Sequence, residues 1–549
     1  MGKAGRWHAV LVVAAMAALG AQALWAVSTN SATEDEPDHI VSGLTAIRTG
    51  DFRMNVDHPP LMDMVCGAAA HLGGAPPLRL DSETWGLGQR LKFAREYMWR
   101  EPAASQALRL IFLARLPVIA VSLALAWLVF VWARRLYGWP AAGLAVVLYC
   151  FEPNIIAHSS VATNDLGATA GYVATLYAYW RHLTSGKWGW LAVTGAALGA
   201  TLLMKLSGAV LVVALPLLGA MYARGPRAVS IGKLIGGLGV VLAAAAVTMW
   251  ACYGFSIGAP PGSAGPRMPV GQYLAVIRYQ LAHESAGHRQ FVLGQISQGG
   301  WWYYFPVAFL VKTPLPLLIL LGITFARGRL ERDEWYLVGA AGVYLLAGMM
   351  QSLNIGVRHI LPMYALLIIL AGRVVARPWP EKQRRWGNRA VAGLMVWMVV
   401  EALVYAPQYL AYFNELAGGP AGGRHVLVDS NLDWGQDLKR LAAWQREHPE
   451  ARPLMLSYFG PGDPTRYGVR AEPLPGQCQV WPGWSLSWEQ YAEMAGPRAG
   501  WIAISATCLA LAREYRWLRV CRPVGRAGYS ILIYHISEEE ASRLRRGSR

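Results

Sequence analysis

The chain has 549 residues, of which 54% are hydrophobic and only 15% charged, with 24 Trp and 24 Tyr, and its mean hydropathy is +0.29. That profile excludes an ordinary soluble domain and a disordered chain, and it fits a polytopic membrane protein. A net charge of +17 would suit a polyanion partner, but Lys and Arg also collect in the cytoplasmic loops of membrane proteins, and their distribution here follows that rule, so no nucleic-acid partner is expected.

In chain order, apolar stretches predict about eleven spans, near residues 8–27, 108–132, 139–156, 163–180, 188–203, 206–223, 234–252, 303–325, 335–351, 359–372 and 390–408. With the N-terminus inside, Lys3, Arg6 and the loops ARRLYG, RHLTSGK, ARGPRAVSIGK, ARGRLERDEW and GRVVARPWPEKQRRWGNR hold the basic residues, while the short outer turns hold few. This alternation places the long loops 28–107 and 253–302, and the tail from 409, on the outer side. The first segment has the basic start and small residues of a signal peptide, but its apolar run is long for one, which favours a retained anchor.

After Tyr412 the chain changes character. The apolar strings HVLVD, PLMLSYF, WIAISAT and YSILIYHI read as strands, and WGQDLKRLAAWQREH and LALAREYRWL as helices. The predicted organisation is a mainly α, multi-span membrane domain over 1–408 and a small extracytoplasmic α/β domain over 409–549. In that tail Cys478, Cys508 and Cys521 leave open which two would pair in an oxidising compartment. No CxxC occurs, so no metal site is predicted; no cofactor is named, and a divalent cation is left open.

Ionisable groups in or beside spans are costly and therefore informative. Asp35 and Glu36 follow the first span, Asp165 opens the fourth, Lys205 lies between the fifth and sixth, Lys312 is in the eighth, Arg358 and His359 open the tenth, and Glu401 is in the eleventh. All lie toward the outer face. A transporter or flippase of lipid-linked glycans, the competing reading, would want polar groups at mid-membrane and broken helices. An enzyme at the outer interface would want cations for a lipid phosphate and a rim carboxylate to deprotonate an acceptor. The bland alternatives are snorkelling for Lys205, Lys312 and Arg358, an N-cap for Asp165, a turn ahead of Pro59-Pro60 for His58, and a solvated boundary for Asp35 and Glu36. In DSNLDWGQDLK, the four-residue spacing of Asp429, Asp433 and Asp437 reads as capping and first-turn charge.

The stretch EDEPDHIVSGLTAIRTGDFRMNVDHPPL, from Glu34 to Leu61, resembles the first outer loop of the protein O-mannosyltransferase-like glycosyltransferases of GT-C fold, glycosyltransferase family 39. FEPNIIAHSSVATND, GHRQFVLGQISQGGWWYYFPVAFLVKTPLP, NIGVRHILPMY, YFNELAGGP and DSNLDWGQDLK are similar to family strings in the same order, so the resemblance runs to about residue 440. It implies sugar transfer from a polyprenyl-phosphate donor to a protein, lipid or glycan acceptor, with inversion, on the outer face of a bacterial inner membrane. On the matching positions Asp35 would be the general base with Glu36 beside it, and His58, Asp165, Lys205, Lys312 and Arg358 would bind substrate. The 253–302 loop is too short for the lumenal insert of the eukaryotic enzymes; a tail domain at the C-terminus is instead similar to the aminoarabinose transferases that modify lipid A.

Overall fold

The computed structural model describes residues 3–100, 105–223, 229–258, 267–474 and 496–547. Helices stand at all eleven predicted positions. Among the described residues, five are long and apolar enough to cross a membrane alone, and counting each of two bent pairs as one span gives up to seven. The bent pairs are Trp139–Cys150 with Pro153–Ser159, at 62°, and Tyr304–Lys312 with Leu315–Ala326, at 109°. Each was expected as one span. Pro153 and Pro314 lack the N–H that would continue the helical ladder, and the freed groups find other partners: Glu152 accepts from Ile155 N at 2.7 Å, and Asn154 Nδ2 donates to Lys312 O at 2.7 Å. The two breaks are thus tied together, which satisfies backbone groups that lipid cannot.

The stretch after the first span is helical too, with Glu36–Thr49, Leu61–Leu72 and Arg90–Trp99. The first two of these cross at their glycines. A methyl group at Gly43 would lie 1.7 Å from Asp63 O, and one at Gly67 would lie 2.4 Å from the Gly43 carbonyl carbon. Only this close approach brings Asp63 to His39, whose Nδ1 is 2.7 Å from Asp63 Oδ1.

Among its described residues the tail carries one five-stranded sheet, in the order Glu472–Pro473, Leu454–Ser457, Gly500–Ser505, Ile531–Ile536 and Gly525–Ala527. Its first three strands are parallel and the last two pairings antiparallel. HVLVD forms no strand; Leu427 makes a lone bridge to Val292. LALAREYRWL breaks into the helix Ala506–Leu511 and the 3-10 segment Arg513–Val520. Leu454, Ile531 and Trp434 share the main hydrophobic core with the membrane helices, while Ile502, Leu518 and Tyr534 form a second, smaller core on the other face. The disulfide alternatives that include Cys478 lie outside the described residues.

Candidate active site

A cavity of about 500 Å3 opens among the helices that follow the first span, the 3-10 turn at Lys205, the Gly271–Ala286 helix and the turn at Arg358. Asp35, His58, Lys205 and Arg358 are on its wall. Arg358 Nη1 donates to Asp35 Oδ2 at 2.8 Å and stands 3.6 Å from Asp165 Oδ2. Lys205 Nζ pairs with Asp165 Oδ1. Asp165 therefore sits behind the two cations, fully buried, and fixes both. Two cations facing two carboxylates form a compact polar centre, and Arg358 Nε still meets no acceptor.

Arg358 is held from below. Its guanidinium lies 4.2 Å over the Trp434 ring, and the preceding Val357 N donates to Asn431 Oδ1 at 2.9 Å. Gly356 leaves room at this junction, where a methyl would come within 2.1 Å of Ser430 Oγ and push that side chain aside. The NIGVRH and DSNLDWGQ strings, some seventy residues apart, are thus one structural unit. Of the acids of the second string, Asp429 accepts from Ser430 N at 2.6 Å in the first turn of a 3-10 segment, but Asp433 and Asp437 do not cap as expected. Asp437, at the N-cap of Leu438–Glu447, makes no side-chain cap bond; it accepts from Ser530 N and Oγ at 3.1 and 2.8 Å, and Asp433 accepts from Thr507 N at 2.9 Å. These long-range donors, invisible to a local reading, clamp the sheet onto the site.

Neighbouring Asp35 and Glu36 face different surroundings. The Asp35 side chain is 31% exposed and the Glu36 side chain 0%. Glu36 accepts a two-pronged bond from Arg115, Nε and Nη2 each at 2.7 Å, and one bond each from Thr33 N and Ala162 N, both at 2.8 Å. All of its acceptor capacity is spent on the scaffold, and it does not line the cavity. Replacing one partner of such a buried pair strands the other, so Glu36→Gln is expected to destabilise the detergent-solubilised protein by about 3–5 kcal/mol; an unchanged unfolding midpoint would refute that role. Lys312 is likewise off the cavity wall. Its Nζ donates to Leu410 O at 3.0 Å and Asn431 O at 2.6 Å.

Burial acts to raise the Asp35 carboxyl, but the adjacent Arg358, helped by His39, outweighs it and holds the group below the ordinary carboxylate value. Burial opposes protonation of His39, yet Asp63 overcomes this and lifts it to about 9. His58, stacked on His39 with ring centres 5.2 Å apart, is pushed the other way by burial, to about 4. At neutral pH the pair is one imidazolium and one neutral imidazole. Among the described residues no group of three His, Cys, Asp or Glu side chains is placed to hold a metal ion, which gives the divalent cation no ligand set there.

Sequence reasoning missed His39, Asp63, Arg90 and Trp434. A signal for the first two was present in the small residues Gly43 and Gly67, which permit the close helix crossing.

A family model described as dolichyl-phosphate-mannose-protein mannosyltransferase matches residues 108–252. Among solved structures, apo ArnT from Cupriavidus metallidurans is 13% identical, with a TM-score of 0.51 over 96% of this chain and 98% of that one. ArnT from the same organism bound to undecaprenyl phosphate is 14% identical, at 0.49 over 96% and 97%. The S. cerevisiae protein O-mannosyltransferase Pmt1-Pmt2 complex bound to the sugar donor is 14% identical, at 0.34 over 54% and 40%. A search of curated proteins finds no match. The chain is an integral membrane protein with the GT-C fold of apo ArnT, and its resemblance to the protein O-mannosyltransferase-like enzymes, read from the sequence, recurs in the family match.

Proposed function

We propose that this protein is a glycosyltransferase that moves a sugar from a polyprenyl-phosphate donor to an acceptor at the outer face of a bacterial inner membrane. One observation carries the reading: an ionised, partly exposed carboxylate, Asp35, shares a single cavity with two cations, Arg358 and Lys205. In this reading the donor phosphate sits against Arg358 and Lys205. Asp35 takes the proton of the acceptor hydroxyl as its oxygen attacks the anomeric carbon. The carbon–oxygen bond to phosphate breaks on the opposite side, giving inversion, and the cations stabilise the departing polyprenyl phosphate. Asp165 positions both cations, His58 borders the acceptor side, and Glu36 and Lys312 brace the scaffold.

Purified protein in liposomes, supplied with polyprenyl-phosphate sugars, is expected to give transfer products, and glycolipids and glycoproteins from cells lacking the gene are expected to lose a mass equal to one sugar. Translocation of the sugar lipid with no transfer product would overturn the reading in favour of a flippase.

The eleven-span topology, with the tail domain outside, belongs to the same proposal. Cysteines placed at the exposed positions Arg135, Lys187 and Arg385 are expected to react with an impermeant thiol reagent only from the cytoplasm, and those at Asp81 and Glu450 only from outside. Labelling of Glu450 from the cytoplasm would put the cavity on the wrong side of the membrane.

A further inference from the structure

Asp35 and Asp38 are three residues apart at the start of the Glu36–Thr49 helix, so they share a face, with about 5–6 Å between their Cβ atoms. Both line the cavity. Asp38 belongs to a second polar group: Arg90 ion-pairs with Asp38 and, at 2.7 Å, with Asp57, and His58 Nε2 lies 3.8 Å from Asp57 Oδ2. Arg90 occupies Asp38 Oδ2. The other oxygen, Oδ1, meets no donor, although the residue is only 6% exposed. Buried acceptors are nearly always paired, and leaving one unmade is costly. An unpaired carboxylate oxygen on a residue that lines a cavity is a place where a ligand can supply the donor.

The character of that ligand follows from charge. Asp38 and Asp57 around one guanidinium give the group no excess of positive charge, even with the Asp38 carboxyl lifted to about 7 by burial. It offers a phosphate no net attraction, whereas Arg358 and Lys205 on the same wall can each pair with one. A neutral ring bearing several hydroxyls suits the group well, because each hydroxyl both donates to a carboxylate and accepts from a guanidinium. Position then separates donor sugar from acceptor. The anomeric carbon must lie between the acceptor oxygen at Asp35 and the phosphate at Arg358, so the rest of the transferred ring extends along the wall, where Asp38 stands one turn away. Resting on the glycosyltransferase reading, we infer that Asp38, with Arg90 and Asp57, forms the subsite that binds the hydroxyls of the transferred sugar, with Asp38 Oδ1 accepting one of them.

The test pairs variants with deoxygenated donors. Short-chain polyprenyl-phosphate mannose, glucose, galactose and arabinose are assayed intact and as monodeoxy analogues. For the sugar that wild-type protein transfers, one monodeoxy donor is expected to lose roughly 10- to 100-fold in kcat/KM, the scale of one hydrogen bond to a charged group. In Asp38→Ala that particular loss should vanish, while losses at the other hydroxyls persist. Asp38→Asn, which keeps the shape and an oxygen for Arg90, guards against misfolding and should shrink the loss, since the hydroxyl then meets a neutral amide and the bond to a charged group is gone. A mere structural role lowers turnover of all donors alike. Deoxy-donor losses unchanged in both variants, or an effect confined to deoxygenated acceptors, would overturn the inference. Transfer of none of the four sugars by wild-type protein would overturn the glycosyltransferase reading itself.

Discussion

Asp35→Asn is expected to lower turnover by roughly 100-fold or more, the scale of general-base loss, with membrane insertion and unfolding midpoint unchanged. The amide keeps the shape of the carboxylate and an oxygen for Arg358 Nη1, now 2.8 Å away, but it cannot take a proton. The wild-type group is well suited to the task because Arg358 overcomes the effect of burial and keeps it ionised at neutral pH. A low pKa makes a weak base, so its use here is concerted: the proton moves as the acceptor oxygen bonds to carbon and its acidity rises. Variants are compared for transfer from a polyprenyl-phosphate donor at matched folding. Turnover of Asp35→Asn within a few-fold of wild type would remove Asp35 from the chemistry.

How far the site was legible depended on whether its determinants were local. Helices stand where hydropathy placed the apolar stretches, because a span selects its composition over its whole length. Hydropathy did not reveal the bends at Pro153 and Pro314, since a proline in an apolar run either kinks a helix gently or ends it, and the choice rests on partners such as Asn154 and Lys312 that are 158 residues apart. Asp35 and Glu36 were indistinguishable as neighbours in sequence. What separates them is Arg115, 79 residues from Glu36, which draws one carboxylate into the scaffold and leaves the other on the cavity. Likewise the outer position expected for Arg358, where positive-inside bias gives no reason for a cation, marked it in the sequence, whereas Trp434 beneath it was one of 24 tryptophans until the tail folded back on the membrane helices.

Arg358 carries the other large expected effect, and its loss has two separable consequences. Arg358→Ala is expected to lower kcat/KM for the lipid-phosphate donor by roughly 100-fold or more, the scale of removing one preorganised donor to a charged transition state. It should also change the pH profile. Arg358 is the main influence lowering the Asp35 carboxyl; without it burial dominates and the carboxyl rises. A base is lost as pH falls through its pKa, so the acid limb of the profile should move to higher pH in the alanine variant. Arg358→Lys restores a positive charge and should return that limb toward its wild-type position. It should recover donor use only in part, because an ammonium acts as a point charge where a guanidinium holds two phosphate oxygens at once and stacks on Trp434. The two readouts therefore divide charge from geometry. An alanine variant with unchanged donor kinetics would move the phosphate away from Arg358 and toward Lys205, and an acid limb that stays in place would show that Arg358 does not set the ionisation of the base.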